Sequence, residues 1–267
     1  MIPIKDIECF VLDMDGTIYL EERVLDGAYD LIKYFDAHHI PYFFFTNNSS
    51  KSPSNYIDKL ERLGFGKYDR KSIISSGDVA ADYLKERFGK NPKVYVVGTP
   101  PLIEQLTEAG ITCTDEETPD CVLVAFDTTY NFAKAKRAVD LLREGLPFLA
   151  TNIDSVCPLD NGGVLPDCAS ICAMLTVATG RQPRYLGKPF PETAHFIQHA
   201  TSIPAAKTAV IGDRLYTDMH LALDNGMVAI GVLSGEMTQR DIDESEVKPH
   251  YVFSGVGDVL KELKSDN

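Results

Sequence analysis

Short, almost continuous apolar runs recur along the chain, each cut off by a small polar cluster. Residues 8–13 (ECFVLD) run into Met14-Asp15-Gly16-Thr17, and PYFFFT at 41–46 runs into Asn47-Asn48. VYVVG at 94–98, CVLVAF at 121–126, PFLATN at 147–152, TAVIGD at 208–213 and MVAIGV at 227–232 repeat the form. Unbroken rather than alternating apolarity predicts strands covered on both faces, as in a parallel sheet between helices. Helical spacing fills the intervals: Ala28–Ala37 after Asp26-Gly27, Ser54–Leu63 up to Gly64, Pro100–Ala109, and 131–144 up to Gly145. It returns at 169–179 before Gly180, at Pro191–Ala200, and at 217–224 before Asn225-Gly226. The stretch 156–166 (VCPLDNGGVLP) is rich in turn formers and predicts a hairpin or a functional loop.

Alternating strands and helices predict α/β architecture with right-handed crossovers. The strands are too numerous for one simple sheet, which predicts two α/β units. No Ser/Gly-rich linker separates them, so the second is expected as an insertion into the first.

Composition narrows the picture little. The 267 residues are 44% hydrophobic and 24% charged, ordinary values for a globular chain. The net charge of −13, from 26 basic and 39 acidic residues, does change it. An acidic surface repels phosphate backbones, so neither a nucleic acid polymer nor an anionic membrane is expected as partner. A small phosphorylated metabolite stays compatible, because a metal ion and one lysine reverse the field locally. Self-association into a homo-oligomer is also compatible. The six cysteines form no CxxC pair, and Cys9 and Cys121 lie in apolar runs, which predicts buried free thiols. The start MIPIKDIECF has neither the basic region nor the apolar stretch of a signal peptide, and no segment is long enough to span a bilayer, so a cytoplasmic protein is expected.

The candidate chemistry lies where the strands end. Asp13 and Asp15, Thr46 and Asn47, and Asp213 with Asp218 beyond it follow three apolar runs, and Lys188 sits in a Gly-Lys-Pro turn. Strand ends of one sense share one edge of a parallel sheet, where ligands bind, so these clusters are expected to converge. Asp13, Asp15 and Asp213 offer hard oxygen ligands suited to Mg²⁺, and acids so close need a cation to remain ionised. Lys188 supplies a point charge for phosphate oxygens. The Thr46 hydroxyl and the amides around Gly16 and Asn47 offer further donors. This is an inventory for phosphoryl transfer.

The runs VLDMDGTIYL, FFTNNSS, LGKPFP and VIGDRLYTDMHLALDNGM, in this order and strand context, resemble the haloacid dehalogenase superfamily of phosphatases. Within it, the likeness is to the NagD-type branch with a large inserted α/β cap. The resemblance implies a Rossmann-like core at 1–77 and 186–267, with helices on both sheet faces, and a cap at 78–185 that closes over the site. It implies hydrolysis of small phosphate monoesters, namely sugar phosphates, nucleotide monophosphates or aryl phosphates. Asp13 is then the nucleophile that carries an aspartyl-phosphate, and Asp15 the general acid and base. Thr46 and Lys188 are catalytic and, with Gly16 and Asn47, bind phosphate. Asp13, Asp15 through its carbonyl oxygen, and Asp213 hold Mg²⁺, with Asp218 behind them. Asp127, Tyr130, Asn152 and Asp154 are expected in the cap as readers of the substrate. The chain departs from the family after Pro166, where Asp167-Cys168-Ala169-Ser170 stands in place of a Gly-rich segment.

Two other readings stay open. A phosphomutase would use the same core chemistry and return the phosphoryl group to the substrate. A phospho-receiver signalling protein also gathers acids, a Thr, a Lys and Mg²⁺, but receivers are compact single sheets of about half this length.

Overall fold

The computed structural model describes residues 2–159 and 162–265. Asp160 and Asn161, inside the expected hairpin, lie outside the described residues. The chain divides into two compact units. The first comprises Met1–Thr46, Ser54–Ile74 and Thr193–Asn267, and the second Asn47–Pro53 and Ser75–Glu192. This division differs from core segments at 1–77 and 186–267 in three places, the smallest being residues 75–77, which fall in the second unit. The loop Asn47–Pro53 and residues 186–192 group with the second unit. Side-chain bonds from Asn47 and Ser49 to residues of that unit account for the first of these.

In the first unit a six-stranded sheet has the order Tyr251–Phe253, Val228–Val232, Thr208–Gly212, Cys9–Asp13, Tyr42–Thr46, Ile73–Ser75. The four pairings from Tyr251–Phe253 through Tyr42–Thr46 are parallel. The chain moves outward in one direction through Tyr42–Thr46 and in the other through Thr208–Gly212, so the topological switch falls at Cys9–Asp13. Helix Ala28–His38 buries Ala28, Leu31, Ile32 and Phe35, positions spaced by three and four that form one stripe. The Phe35 ring stacks on Phe10 with centroids 4.7 Å apart. Burial of each of these rings contributes about 1.5–3 kcal/mol. The next strand residues, Cys9 and Val11, are also wholly buried, so the sheet is covered on both faces, as continuous apolarity predicts.

In the second unit a five-stranded parallel sheet has the order Arg184–Tyr185, Phe148–Ala150, Cys121–Val124, Lys93–Val97, Thr112–Cys113. Helix Phe132–Arg143 starts at Asn131, whose side chain accepts from the Lys134 N–H. The turn-rich segment forms the antiparallel pair Val156–Pro158 with Val164–Pro166. Residues 217–224 are not one α-helix: a π turn at Leu215–Met219 leads into a short helix at His220–Asp224. Among the described residues no helix is long and apolar enough to cross a membrane.

Candidate active site

Two adjacent strands of the first unit deliver the acidic residues, and a third, on the other side of the central one, delivers Thr46. Asp13 ends the central strand, in register with Phe45, while Leu12 pairs with Ile211 on the other side. Thr46 and the Gly212-Asp213 pair therefore flank Asp13 at the carboxyl edge. Beyond Asp13 the chain turns tightly, with the Met14 carbonyl accepting from Thr17, Ile18 and Tyr19. Gly16 stands in the left-handed region at φ 88°, and a Cβ there would lie 2.3 Å from Asp213 Oδ2. Backbone geometry and the nearness of Asp213 both demand glycine at this position.

Asp213 and Asp218 are placed by backbone donors. Asp213 Oδ2 accepts from the Glu236 N–H at 2.7 Å, and the Asp213 carbonyl accepts from the Met237 N–H at 2.8 Å. The π turn brings Asp218 back against the strand end, where its Oδ2 accepts from the Arg214 N–H at 3.3 Å. The carbonyl end of that strand must be bare to admit it, since a Cβ on Gly212 would lie 2.3 Å from Asp218 Cγ. As a result carboxylate oxygens of Asp13, Asp213 and Asp218 all lie within 4.8 Å of one another, with Asp213 and Asp218 buried. Three like charges at that spacing, two of them withdrawn from water, require a cation to stay ionised together. All the donors are hard oxygens, which fits Mg²⁺. Asp218, expected behind the metal, stands in the same cluster as Asp13 and Asp213. The Asp15 carboxylate is not in that cluster.

Asp15 instead turns to Lys59, with Nζ 3.6 Å from its Oδ1. The same ammonium lies 3.8 Å from the centroid of the Tyr19 ring. Tyr19 is wholly buried. Burial first, then the nearby Asp15, Tyr56, Asp13 and Glu22, holds its phenol well above the ordinary range, so it stays neutral. The Ser234 hydroxyl donates to the Gly16 carbonyl at 2.7 Å. Lys59, Tyr19, Ser234 and Glu236 are absent from the sequence-based candidates. Lys59 lies in helix Pro53–Arg62 among other polar residues, with no local signal to distinguish it.

The second unit holds Asn47, Lys188 and the expected readers. Lys188 is 2% exposed, and its main chain is gripped by the Asn47 amide: Oδ1 accepts from the Lys188 N–H at 2.9 Å, and Nδ2 donates to the Lys188 carbonyl at 3.0 Å. Asp127, Asn152 and Asp154 are buried and hold partners within the unit. Asp127 is buried, and its carboxylate accepts from Lys134 Nζ at 2.6 Å and from the Thr129 N–H at 2.8 Å. Asn152 is fully buried and donates to Asp154 at 3.0 Å and Asp167 at 3.1 Å, while Asp154 is 3% exposed. All three side chains are thus engaged with internal partners. Tyr130 is half-buried, with its phenol raised first by burial and then by Asp127 and Cys172.

Comparison with known proteins identifies the family of the chain. The profile of a family described as haloacid dehalogenase-like hydrolase matches residues 10–112, and one described as HAD-hydrolase-like matches residues 185–259. An acid sugar phosphatase of Staphylococcus epidermidis is 31% identical over 261 residues, 97% of this chain and 99% of that protein. The crystal structure of a 4-nitrophenylphosphatase of Thermotoga maritima is 36% identical with a TM-score of 0.93, over 99% of this chain and 100% of that one. A glycerol phosphate phosphatase of Mycobacterium tuberculosis, solved in complex with magnesium, is 28% identical with a TM-score of 0.88, over 100% of this chain and 79% of that one.

Proposed function

This chain belongs to the haloacid dehalogenase-like hydrolases and is a phosphatase, and from that premise we propose that it hydrolyses small phosphate monoesters through an aspartyl-phosphate on Asp13. Sugar phosphates and aryl phosphates head the substrate classes, following the names of its relatives, with nucleotide monophosphates behind them. The observation that carries the reading is the packing of Asp13, Asp213 and Asp218 within 4.8 Å at the switch point of the sheet.

The residues divide the work between attack, proton transfer and charge neutralisation. The Asp13 carboxylate attacks phosphorus in line with the leaving oxygen; the P–O bond to the alcohol breaks as Asp15 delivers a proton to that oxygen. A water then attacks the phosphorus of the acyl-phosphate while Asp15 takes its proton, which releases inorganic phosphate and restores the Asp13 carboxylate. Thr46, Lys188 and the main-chain amides at Gly16 and Asn47 donate to the phosphoryl oxygens. Mg²⁺, held by Asp13, Asp213 and Asp218 with the Asp15 carbonyl, would supply the charge that offsets three carboxylates and a phosphate dianion. Support for magnesium comes from the donor set and from the relative solved with that ion.

A panel of phosphorylated metabolites and aryl phosphates, assayed with Mg²⁺ in ¹⁸O-labelled water, tests this reading. Release of inorganic phosphate carrying one label is expected. Transfer of the group within the substrate, without label, would instead make the protein a phosphomutase.

A further inference from the structure

Lys188 sits in a turn between a short strand and a helix, yet it is almost wholly buried, so something other than regular structure must hold it. The Asn47 amide does this by pairing with both main-chain groups of Lys188. The pairing fixes which way the amide faces: its oxygen must meet the Lys188 N–H, and its nitrogen must meet the Lys188 carbonyl. The second N–H of Asn47 then has one direction available, and Asp154 Oδ2 receives it at 2.9 Å. Asp154 is held in turn by Asn152, which donates to the same oxygen at 3.0 Å. The approach is close enough to exclude a side chain at 187, where a Cβ would lie 2.4 Å from the Thr151 carbonyl and 2.8 Å from Asn47 Oδ1.

We infer that Asp154 is a positioning residue for Lys188, acting through the Asn47 amide, rather than a reader of the substrate. A buried carboxylate is costly to desolvate and persists where donors surround it. Here its charge strengthens the bond to the amide that grips Lys188. Removing the acceptor leaves an Asn47 N–H buried without its partner and frees the amide to turn, so the lysine loses its fixed place. The inference rests on the proposed role of Lys188 at the phosphoryl group. It predicts a defect shared by every substrate, because that group is common to all of them.

The test is a double-mutant cycle on the full-length protein with Mg²⁺ present, using Asp154→Ala, Lys188→Ala and both together. It reads kcat/KM for an aryl and a sugar phosphate, and the inhibition constant of inorganic phosphate. Loss of one buried partner predicts a fall of about tenfold to a hundredfold in kcat/KM for Asp154→Ala, equal on both substrates, with weaker inhibition by phosphate. In the Lys188→Ala background the Asp154 substitution should change kcat/KM by less than about threefold. Asp154→Asn keeps an acceptor and the shape of the side chain. It should show a smaller defect with the same coupling, which also covers failure of the alanine variant to fold. Multiplicative effects of the two substitutions, or a changed ranking of the substrates, would overturn the inference and leave the role of Lys188 intact. A harmless Lys188→Ala would overturn both.

Discussion

The carboxyl edges of the two parallel sheets carry similar residues and put them to different uses. In the first unit Asp13, Asp213 and Asp218 face one another within 4.8 Å. In the second, Asp127 faces Lys134, and Asp154 faces the amides of Asn47 and Asn152. Position at a strand end is the same in both cases. The charge around each acid differs: one edge gathers negative charge and so calls for a cation, while the other supplies its own donors. Location at a ligand-binding edge is therefore a weaker guide to chemistry than the account of each carboxylate's partners.

Substitutions at both edges, followed by thiol labelling, test that contrast in descending order of effect. Asp13→Asn should lower turnover by several orders of magnitude, on the order of 10⁴-fold or more, because an amide does not form the acyl-phosphate. Its thermal midpoint should remain near that of the wild type; a variant keeping a tenth of wild-type activity would remove Asp13 from the role. Asp213→Asn and Asp218→Asn should each cost about a hundredfold or more and raise the Mg²⁺ needed for half-maximal rate. Excess chelator should abolish activity, with Mg²⁺ restoring it and Ca²⁺, whose larger shell misplaces the attacking oxygen, restoring it poorly.

Glycines sharpen the comparison. Gly16→Ala meets both a positive φ and the Asp213 carboxylate, whereas Gly180→Ala meets a positive φ with nothing within 4 Å. The strain common to both predicts a stability cost of about 1 kcal/mol by denaturant titration. Only Gly16→Ala should also lower kcat.

Asp127→Ala breaks a pair in which the lysine is partly exposed, so a loss of about 1–3 kcal/mol is expected, with the ranking of substrates unchanged. A changed ranking would return Asp127 to the substrate. The smallest effect concerns the thiols. Burial pushes Cys9 up to about 12, and burial followed by Asp120 does the same to Cys121. Both stay protonated and unreactive toward iodoacetamide at about pH 8 in the folded protein. Mass spectrometry should find the label first at the half-buried Cys157, with activity retained.

Much of this was legible along the chain, for reasons visible in particular residues. Both major sheets declared themselves because their central strands are apolar throughout, as in CVLVAF and TAVIGD. The acids at Asp13 and Asp213 stood out because each follows such a run. The strand Ile73–Ser75 and the helix Ser76–Phe88 escaped notice: the strand is only three residues long, and the helix begins Ser-Gly-Asp, which reads as a turn. A capping box formed by Ser75 and Asp78 is what starts that helix. Asp218 was legible as a candidate, but its place beside Asp13 and Asp213 depends on the π turn, whose extra residue per turn no helical spacing anticipates. Lys59 was hidden because its partners, Asp15 and Tyr19, are about forty residues away in sequence. Which polar residues of the second unit meet a substrate is not legible along the chain, for a general reason. A polar residue after a strand looks the same whether it meets a ligand or a neighbouring loop, and only its partners distinguish the two.

The central claim, that the acidic edge of the first unit transfers a phosphoryl group through Asp13, is tested most directly by trapping the intermediate. The enzyme is mixed with ³²P-labelled substrate and Mg²⁺, quenched in acid within milliseconds, digested and mapped. Label is expected on the peptide containing Asp13, lost on brief exposure to base as an acyl-phosphate is, and absent from Asp13→Asn. Continued release of phosphate with no label on the protein at any quench time, under conditions where the second step is slowed, would contradict that claim.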